Sequence, residues 1–198
     1  MEKVGLFFGS FNPIHKGHTF LAKQILEKAN LNKVWFVVSP QNPLKENTEL
    51  LDEKTRLLLV RLAIKNEKNF VASDVEFHLN KPSYTINTLD FLKEKYPNKL
   101  FSIIMGMDNF DNFHLWKNYQ EILNNYTIYI YPRKEQDNEE NNNKENLIGK
   151  NIVFFSFPLL NISSTIIREK LRNKESIENY VEKEVKEKIE KNNLYCNS

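Results

Sequence analysis

Short apolar runs alternate with amphipathic stretches along most of this chain, and that alternation restricts the fold more than any other feature. Residues 4–8 (VGLFF) form the first run and end at Gly9. Residues 17–29 carry Leu21, Ile25 and Ala29 four apart, the stripe of one helical face. Residues 34–38 (VWFVV) are a second run, and 51–64 read as a helix with Leu58 and Leu62 in its apolar face. Residues 70–77 look extended, and 86–96 read as a helix stopped by Pro97. Residues 100–105 (LFSIIM) again run into a glycine, and 126–131 and 152–155 are two further apolar runs. Strands this continuously apolar belong in a sheet covered on both faces. The expected fold class is therefore α/β, a doubly wound, mainly parallel sheet with helices on both faces. Such sheets bind ligands outside the carboxyl ends of their strands, near the point where strand order reverses.

With 198 residues the chain has the length of one domain, expected to span 1–198. Lys and Arg number 28 against 26 Asp and Glu, a net charge of +2, so no global field argues for nucleic acid or a membrane as partner. No stretch approaches the length of an apolar membrane span, and residues 4–8 are too short for a signal-peptide core. A cytoplasmic protein is the expectation. A single cysteine, Cys196, allows no disulfide within the chain. Residues 133–147 are polar and Asn-rich and are expected to form a flexible loop. Residues 174–198 read as a C-terminal helical segment, with Val181, Val185 and Ile189 as one packed stripe. Its mixed charges argue against a calmodulin-target or membrane role. Whether the chain forms a homo-oligomer is left open.

Five glycines cannot supply a GxGxxG turn or a P-loop. Chemistry gathers instead at residues 9–18 (GSFNPIHKGH), between the first apolar run and the first helix. Pro13 stiffens this turn. His15 and His18 are three apart, on one face of a helix start, where backbone N–H groups lack intrahelical partners and the dipole is positive. Two histidines at this spacing could be structural, could ligate a metal, or could cradle phosphate oxygens. Their place directly after a buried strand favours phosphate. A zinc site would need further ligands, and His78 and His114 do not stand in ligand-like spacing with this pair.

Residues 9–18 resemble the (G)S/TFDPxHxGH signature of the HxGH nucleotidyltransferase superfamily, and residues 162–168 (ISSTIIR) resemble its second signature, ISSTxIR. In the middle of the chain, residues 83–89 (SYTINTL) resemble the SYTxxTL segment of bacterial nicotinate-nucleotide adenylyltransferases. Residues 104–110 (IMGMDNF), with Trp116 following, resemble their IxGxDxxxxxxxW segment. Residues 42–45 (NPLK) stand where that family has a Pro-Pro-His-Lys loop. Phe8 replaces a glycine of the pattern, and Asn12 an aspartate. The resemblance covers residues 4 to about 173 and implies a Rossmann-like fold.

That resemblance implies transfer of the adenylyl group of ATP to nicotinate mononucleotide, a step of NAD biosynthesis. It implies catalytic roles for His15, His18, Lys45 and Arg168. ATP would be bound by Gly9, Ser10, Phe11, His15, His18, Gly106, Asp108, Ser163, Ser164, Thr165 and Arg168. The mononucleotide would be bound by Asn12, Lys45, Thr85 and Trp116, with Thr85 at the pyridine carboxylate and Trp116 stacked on the ring. Mg²⁺ would accompany ATP, without a dedicated cage of protein ligands. Adenylyl- or cytidylyltransferases acting on phosphopantetheine or glycerol phosphate share the two outer signatures, and a nucleotide sensor without catalysis is a rival of another class.

Overall fold

A computed structural model describes residues 1–40, 50–132, 151–158 and 160–196. Lys45 and the stretch 133–147 therefore lie outside the described residues. Six strands form one sheet: β1 (Glu2–Gly9), β2 (Lys33–Val38), β3 (Phe70–Ser73), β4 (Lys99–Gly106), β5 (Thr127–Tyr131) and β6 (Ile152–Phe154). They lie in the order β3-β2-β1-β4-β5-β6, and every neighbouring pair is parallel. Among the described residues seven α-helices surround it: α1 (Lys16–Lys28), α2 (Glu53–Ala63), α3 (Thr85–Lys95), α4 (Met107–Asp111), α5 (Tyr119–Asn125), α6 (Ser164–Arg172) and α7 (Lys183–Lys191). None is long and apolar enough to cross a membrane.

The continuous apolar strands serve two cores, one on each face. Successive side chains of a strand point to opposite sides, so Phe7, Phe36 and Val38 join one cluster while Leu6, Trp35 and Val37 join the other. The first cluster is completed by Ile25 of α1, Val60 of α2, Ile167 of α6 and Val185 and Ile189 of α7. The second takes Leu89 of α3, Met107 of α4 and Ile122 of α5. Each such side chain contributes roughly 1.5–3 kcal/mol on burial, which ties helix placement to strand alternation.

Two expectations need correction. Leu58 is not part of the buried face of α2: it is 38% exposed, and Arg56, Leu57, Leu59 and Val60 are buried instead. Residues 57–60 are all apolar, so their pattern leaves the helical phase undetermined, and the residue that sets it is a charged one. The extended run expected over 70–77 stops at Ser73, and Val75–His78 form one 3₁₀ turn. That turn swings Glu76 inward, to 2% exposure, towards hydroxyls of the following segment.

Strand order positions the site. The chain proceeds from β1 outward through β2 and β3, then returns to pair β4 on the other side of β1. The order reverses between β1 and β4, and the crevice beyond their ends lies by Gly9 and Gly106.

Candidate active site

The segment after β1 turns sharply. Phe11 adopts φ 46°, left-handed for a side-chain-bearing residue, and its ring folds back over Gly9. A Cβ at position 9 would stand 2.9 Å from that ring and would displace it. The Phe11 ring then meets Phe7 edge-on, with centroids 5.7 Å apart, and His18 edge-on at 5.1 Å. The turn is thus anchored in the core while the loop backbone stays at the carboxyl end of the sheet.

His15 caps the start of α1. Its backbone N–H donates to His18 Nδ1 at 3.2 Å, and the two imidazoles stack with centroids 3.6 Å apart. An accepting Nδ1 places the ring proton of neutral His18 on Nε2, which becomes a hydrogen-bond donor. Gly17 makes this stack feasible, because a Cβ there would lie 2.9 Å from His15 Nδ1. The N–H of Lys16 is satisfied by the carbonyl of Tyr180 at 2.9 Å, which ties the helix start to the C-terminal segment. Beside the stack opens a cleft lined by His15, His18, Tyr131, Pro158 and Ile162.

The second signature closes on the first. Ser163 caps α6 by accepting from the N–H of Ile166 at 3.2 Å. Ser164 Oγ donates to the carbonyl of Pro13 at 2.9 Å, and Arg168 Nη1 donates to that of Asn12 at 2.8 Å. Thr165 is exposed in the first turn, and neither α1 nor α6 has an acidic residue in its first turn. Two helix starts, two imidazoles and a guanidinium therefore surround one loop, a donor-rich arrangement suited to an anion. Asn12 is buried and accepts from the N–H of Leu51 at 3.3 Å.

Gly106 and Asp108 stand at the end of β4, next to β1. Gly106 is the cap residue of α4, and the exposed Asp108 lies inside the first turn, not at the cap. Thr85 is the first residue of α3. Lys117 Nζ lies 4.8 Å from the Tyr84 ring centroid, which brings the start of α3 beside the segment carrying Trp116. Trp116 is half-buried, tilted against Phe113 at 5.3 Å.

The comparisons with known proteins agree with this layout. A family model described as cytidylyltransferase-like matches residues 6–170. A Cytophaga hutchinsonii protein named "Probable nicotinate-nucleotide adenylyltransferase" is 46% identical over 195 residues, covering 98% of this chain and 99% of that one. A Flavobacterium psychrophilum protein of the same name is 44% identical over 193 residues, 98% of each chain. The chain belongs to the cytidylyltransferase-like family, in its nicotinate-nucleotide adenylyltransferase branch. The solved structure of Plasmodium falciparum nicotinic acid mononucleotide adenylyltransferase, complexed with NaAD, matches with a TM-score of 0.81 at 22% identity over 98% of each chain, which shows the shared fold.

Three residues at this family site carry no signature. Arg56 is fully buried and donates four hydrogen bonds to carbonyls: Nε to Leu51 at 2.8 Å, Nη1 to Ser10 at 2.6 Å and Ser39 at 2.8 Å, and Nη2 to Pro40 at 2.9 Å. It rivets the exits of β1 and β2 to the start of α2. Burial lowers its pKa, with Tyr195, Glu53 and Asp52 pulling the other way. Tyr195, near the C-terminus, packs into the first core, and burial raises its hydroxyl pKa against the pull of Arg56 and Arg168. Glu76 is the third. A charged residue inside an otherwise helical or extended pattern reads as a solvated position, so only the buried contacts reveal these roles.

Proposed function

We propose that the protein transfers the adenylyl group of ATP to nicotinate mononucleotide, releasing pyrophosphate and forming nicotinate adenine dinucleotide in NAD biosynthesis. The observation that carries this reading is the closure of Ser164 and Arg168 onto the Pro13 and Asn12 carbonyls, which brings the second signature against the loop that carries the first. The names of the full-length relatives support the choice of acceptor.

In this reaction an oxygen of the mononucleotide phosphate attacks the α-phosphorus of ATP, and the bond from that phosphorus to the bridging α–β oxygen breaks. The nucleophile is already anionic, so no strong general base is needed. Catalysis reduces to in-line positioning and to donors aimed at developing charge. His18 Nε2, with His15 beside it, faces the leaving pyrophosphate. Arg168, the hydroxyls of Ser163 and Thr165 and the backbone N–H groups of the α6 start at Ser164 steady the triphosphate from the opposite side. Gly9, Ser10 and Phe11 supply backbone to the same nucleotide, while Gly106 and Asp108 hold its ribose end. Lys45 neutralises phosphate charge. Asn12, Thr85 and Trp116 receive the mononucleotide.

Among the described residues no three His, Cys, Asp or Glu side chains converge to hold a metal. The donors present fit an anion, and thus a cation that arrives on the triphosphate. Mg²⁺ bound to ATP would spread the charge of the phosphate oxygens. ATP and nicotinate mononucleotide are the proposed partners, and the cytoplasm, where both are at hand, is the proposed compartment.

The test is turnover with ATP and four acceptors: nicotinate mononucleotide, nicotinamide mononucleotide, phosphopantetheine and glycerol phosphate. Pyrophosphate release and product mass are measured. Nicotinate mononucleotide is expected to react fastest, with the dinucleotide as product. A faster sister acceptor, or ATP binding without turnover of any acceptor, would overturn the reading.

A further inference from the structure

Among the described residues Glu76 is the only carboxylate in the buried set. Its partners are hydroxyls drawn from separate parts of the chain. Thr88 Oγ1, in the second turn of α3, donates to Oε1 at 3.0 Å. Ser83 Oγ, just ahead of α3, donates to Oε2 at 3.3 Å. The side chain of Ser39, at the exit of β2, stands near enough to the same carboxyl to favour its charged form. Thr85 lies between Ser83 and Thr88, so the carboxyl grips α3 on both sides of it. Ser39 also donates its backbone N–H to the Gly9 carbonyl at 2.9 Å, and its carbonyl accepts from Arg56. One side chain therefore joins the start of α3 to the exits of β1 and β2.

Burying a carboxyl is costly unless its hydrogen bonds are made, and an apolar contact would hold two segments together at lower cost. What the carboxyl adds is direction. Its two oxygens set where Ser83 Oγ and Thr88 Oγ1 stand, and hence the roll and height of the first turn of α3.

We propose that Glu76 is a positioning residue for the pyridine nucleotide: by orienting Ser83 and Thr88 it sets where the first-turn N–H groups of α3 meet the pyridine carboxyl group. The inference rests on the function proposed above. Glu76 touches no reacting atom, so it acts on binding of one substrate and leaves the chemical step alone. Loss of uniform binding raises KM with kcat unchanged.

The test compares Glu76→Gln, Glu76→Ala and Thr88→Val with the wild type, measuring melting, kcat and the separate KM values for nicotinate mononucleotide and ATP. Glu76→Gln keeps the shape, accepts from Thr88 and donates to Ser83, so its constants stay within about threefold of wild type. Glu76→Ala raises KM for the mononucleotide about tenfold or more, the scale of a lost buried hydrogen-bond set, with kcat and the ATP KM within about threefold. Thr88→Val, which keeps the volume, raises the same KM about threefold to tenfold and decides the matter if Glu76→Ala does not fold. Equal rises in both KM values, or lowered melting with unchanged constants, would overturn the proposal while wild type still turns over nicotinate mononucleotide. A wild type inert towards that acceptor would overturn the functional reading and this inference together.

Discussion

Arg168 Nη1 donates to the backbone carbonyl of Asn12 at 2.8 Å, across 156 positions of sequence. This bond orients the guanidinium along the loop that carries His15 and His18. Ser164 repeats the contact one residue on, at Pro13. The late signature thus supports the early one, so substitutions at Arg168 act on loop placement and on charge together.

His18→Ala is expected to lower turnover and leave the fold intact. Its Nδ1 is engaged by the His15 N–H, which directs Nε2 to donate. Removing one preorganised donor to developing charge costs roughly a hundredfold to a thousandfold in rate. Circular dichroism and pyrophosphate release check this, and a folded variant at near wild-type speed would refute the role.

Gly17→Ala should separate stability from activity. Alanine in a helix is favoured over glycine by up to about 1 kcal/mol, so melting should hold or rise. The new Cβ would nevertheless stand 2.9 Å from His15 Nδ1 and push that ring out of its stack on His18. Turnover is expected to fall at least about tenfold. Unchanged kinetics would mean that the stack is not the working geometry.

Arg56→Met removes the charge and keeps much of the length. Four carbonyls of the β1 and β2 exits and the start of α2 then lose their donor in a buried place. Hydrogen bonds to charged groups contribute about 1.5–3 kcal/mol each. Losing even two should lower Tm by about 10 °C in a chain of this size. The ATP KM should rise as Ser10 loosens. A Tm within about 2 °C of wild type would show that water replaces the guanidinium at little cost.

Why Arg56 was not foreseen follows from how sequence reveals structure. Strands β1, β2 and β4 are legible because both faces are buried and their apolar runs are unbroken. The helix start at Lys16 is legible because its turn and its histidine pair are local in sequence. Arg56 and Glu76 lie in patterns where a charge signals solvent, and their partners come from other segments: Ser10 and Ser39 for the first, Ser83 and Thr88 for the second. Leu58 fails for a related reason, since a run of four apolar residues has no phase until Arg56 supplies one. The adjacency of Tyr84 and Lys117, which brings the two middle segments together, rests on the crossing of β4 past β1 and has no counterpart in local spacing.

Asp52 predicts an acid-dependent loss of stability. Its carboxyl caps α2 by accepting from the Thr55 N–H at 2.9 Å and is held below its ordinary value of 3.8, first by its bond to Thr55. A depressed folded pKa adds stability that is present above the ordinary value and lost as pH falls through the lower folded value. Asp52→Ala should therefore cost about 1 kcal/mol near pH 7, the usual worth of such a cap. The gap in melting between variant and wild type should close below about pH 4. A gap of constant size down to pH 2 would show that the charge of Asp52 contributes nothing.

The choice between nicotinate and nicotinamide mononucleotide should favour the acid. Thr85 opens α3, whose cap Tyr84 makes no side-chain hydrogen bond to the helix and whose first turn holds no acidic residue. That start offers N–H donors and a positive dipole end to a carboxylate. Glu76 stands close behind it; burial raises its pKa while its hydrogen bonds pull the other way, and its oxygens are occupied by Thr88 and Ser83. An amide would turn its own NH₂ donors towards the same N–H groups, and a donor left unmatched in a buried site costs about 1–3 kcal/mol. That corresponds to roughly a tenfold to hundredfold difference in kcat/KM. The comparison is made with both mononucleotides at the same ATP and Mg²⁺. Equal values, or a preference for the amide, would remove Thr85 and the start of α3 from the pyridine site while leaving the adenylyl transfer itself untouched.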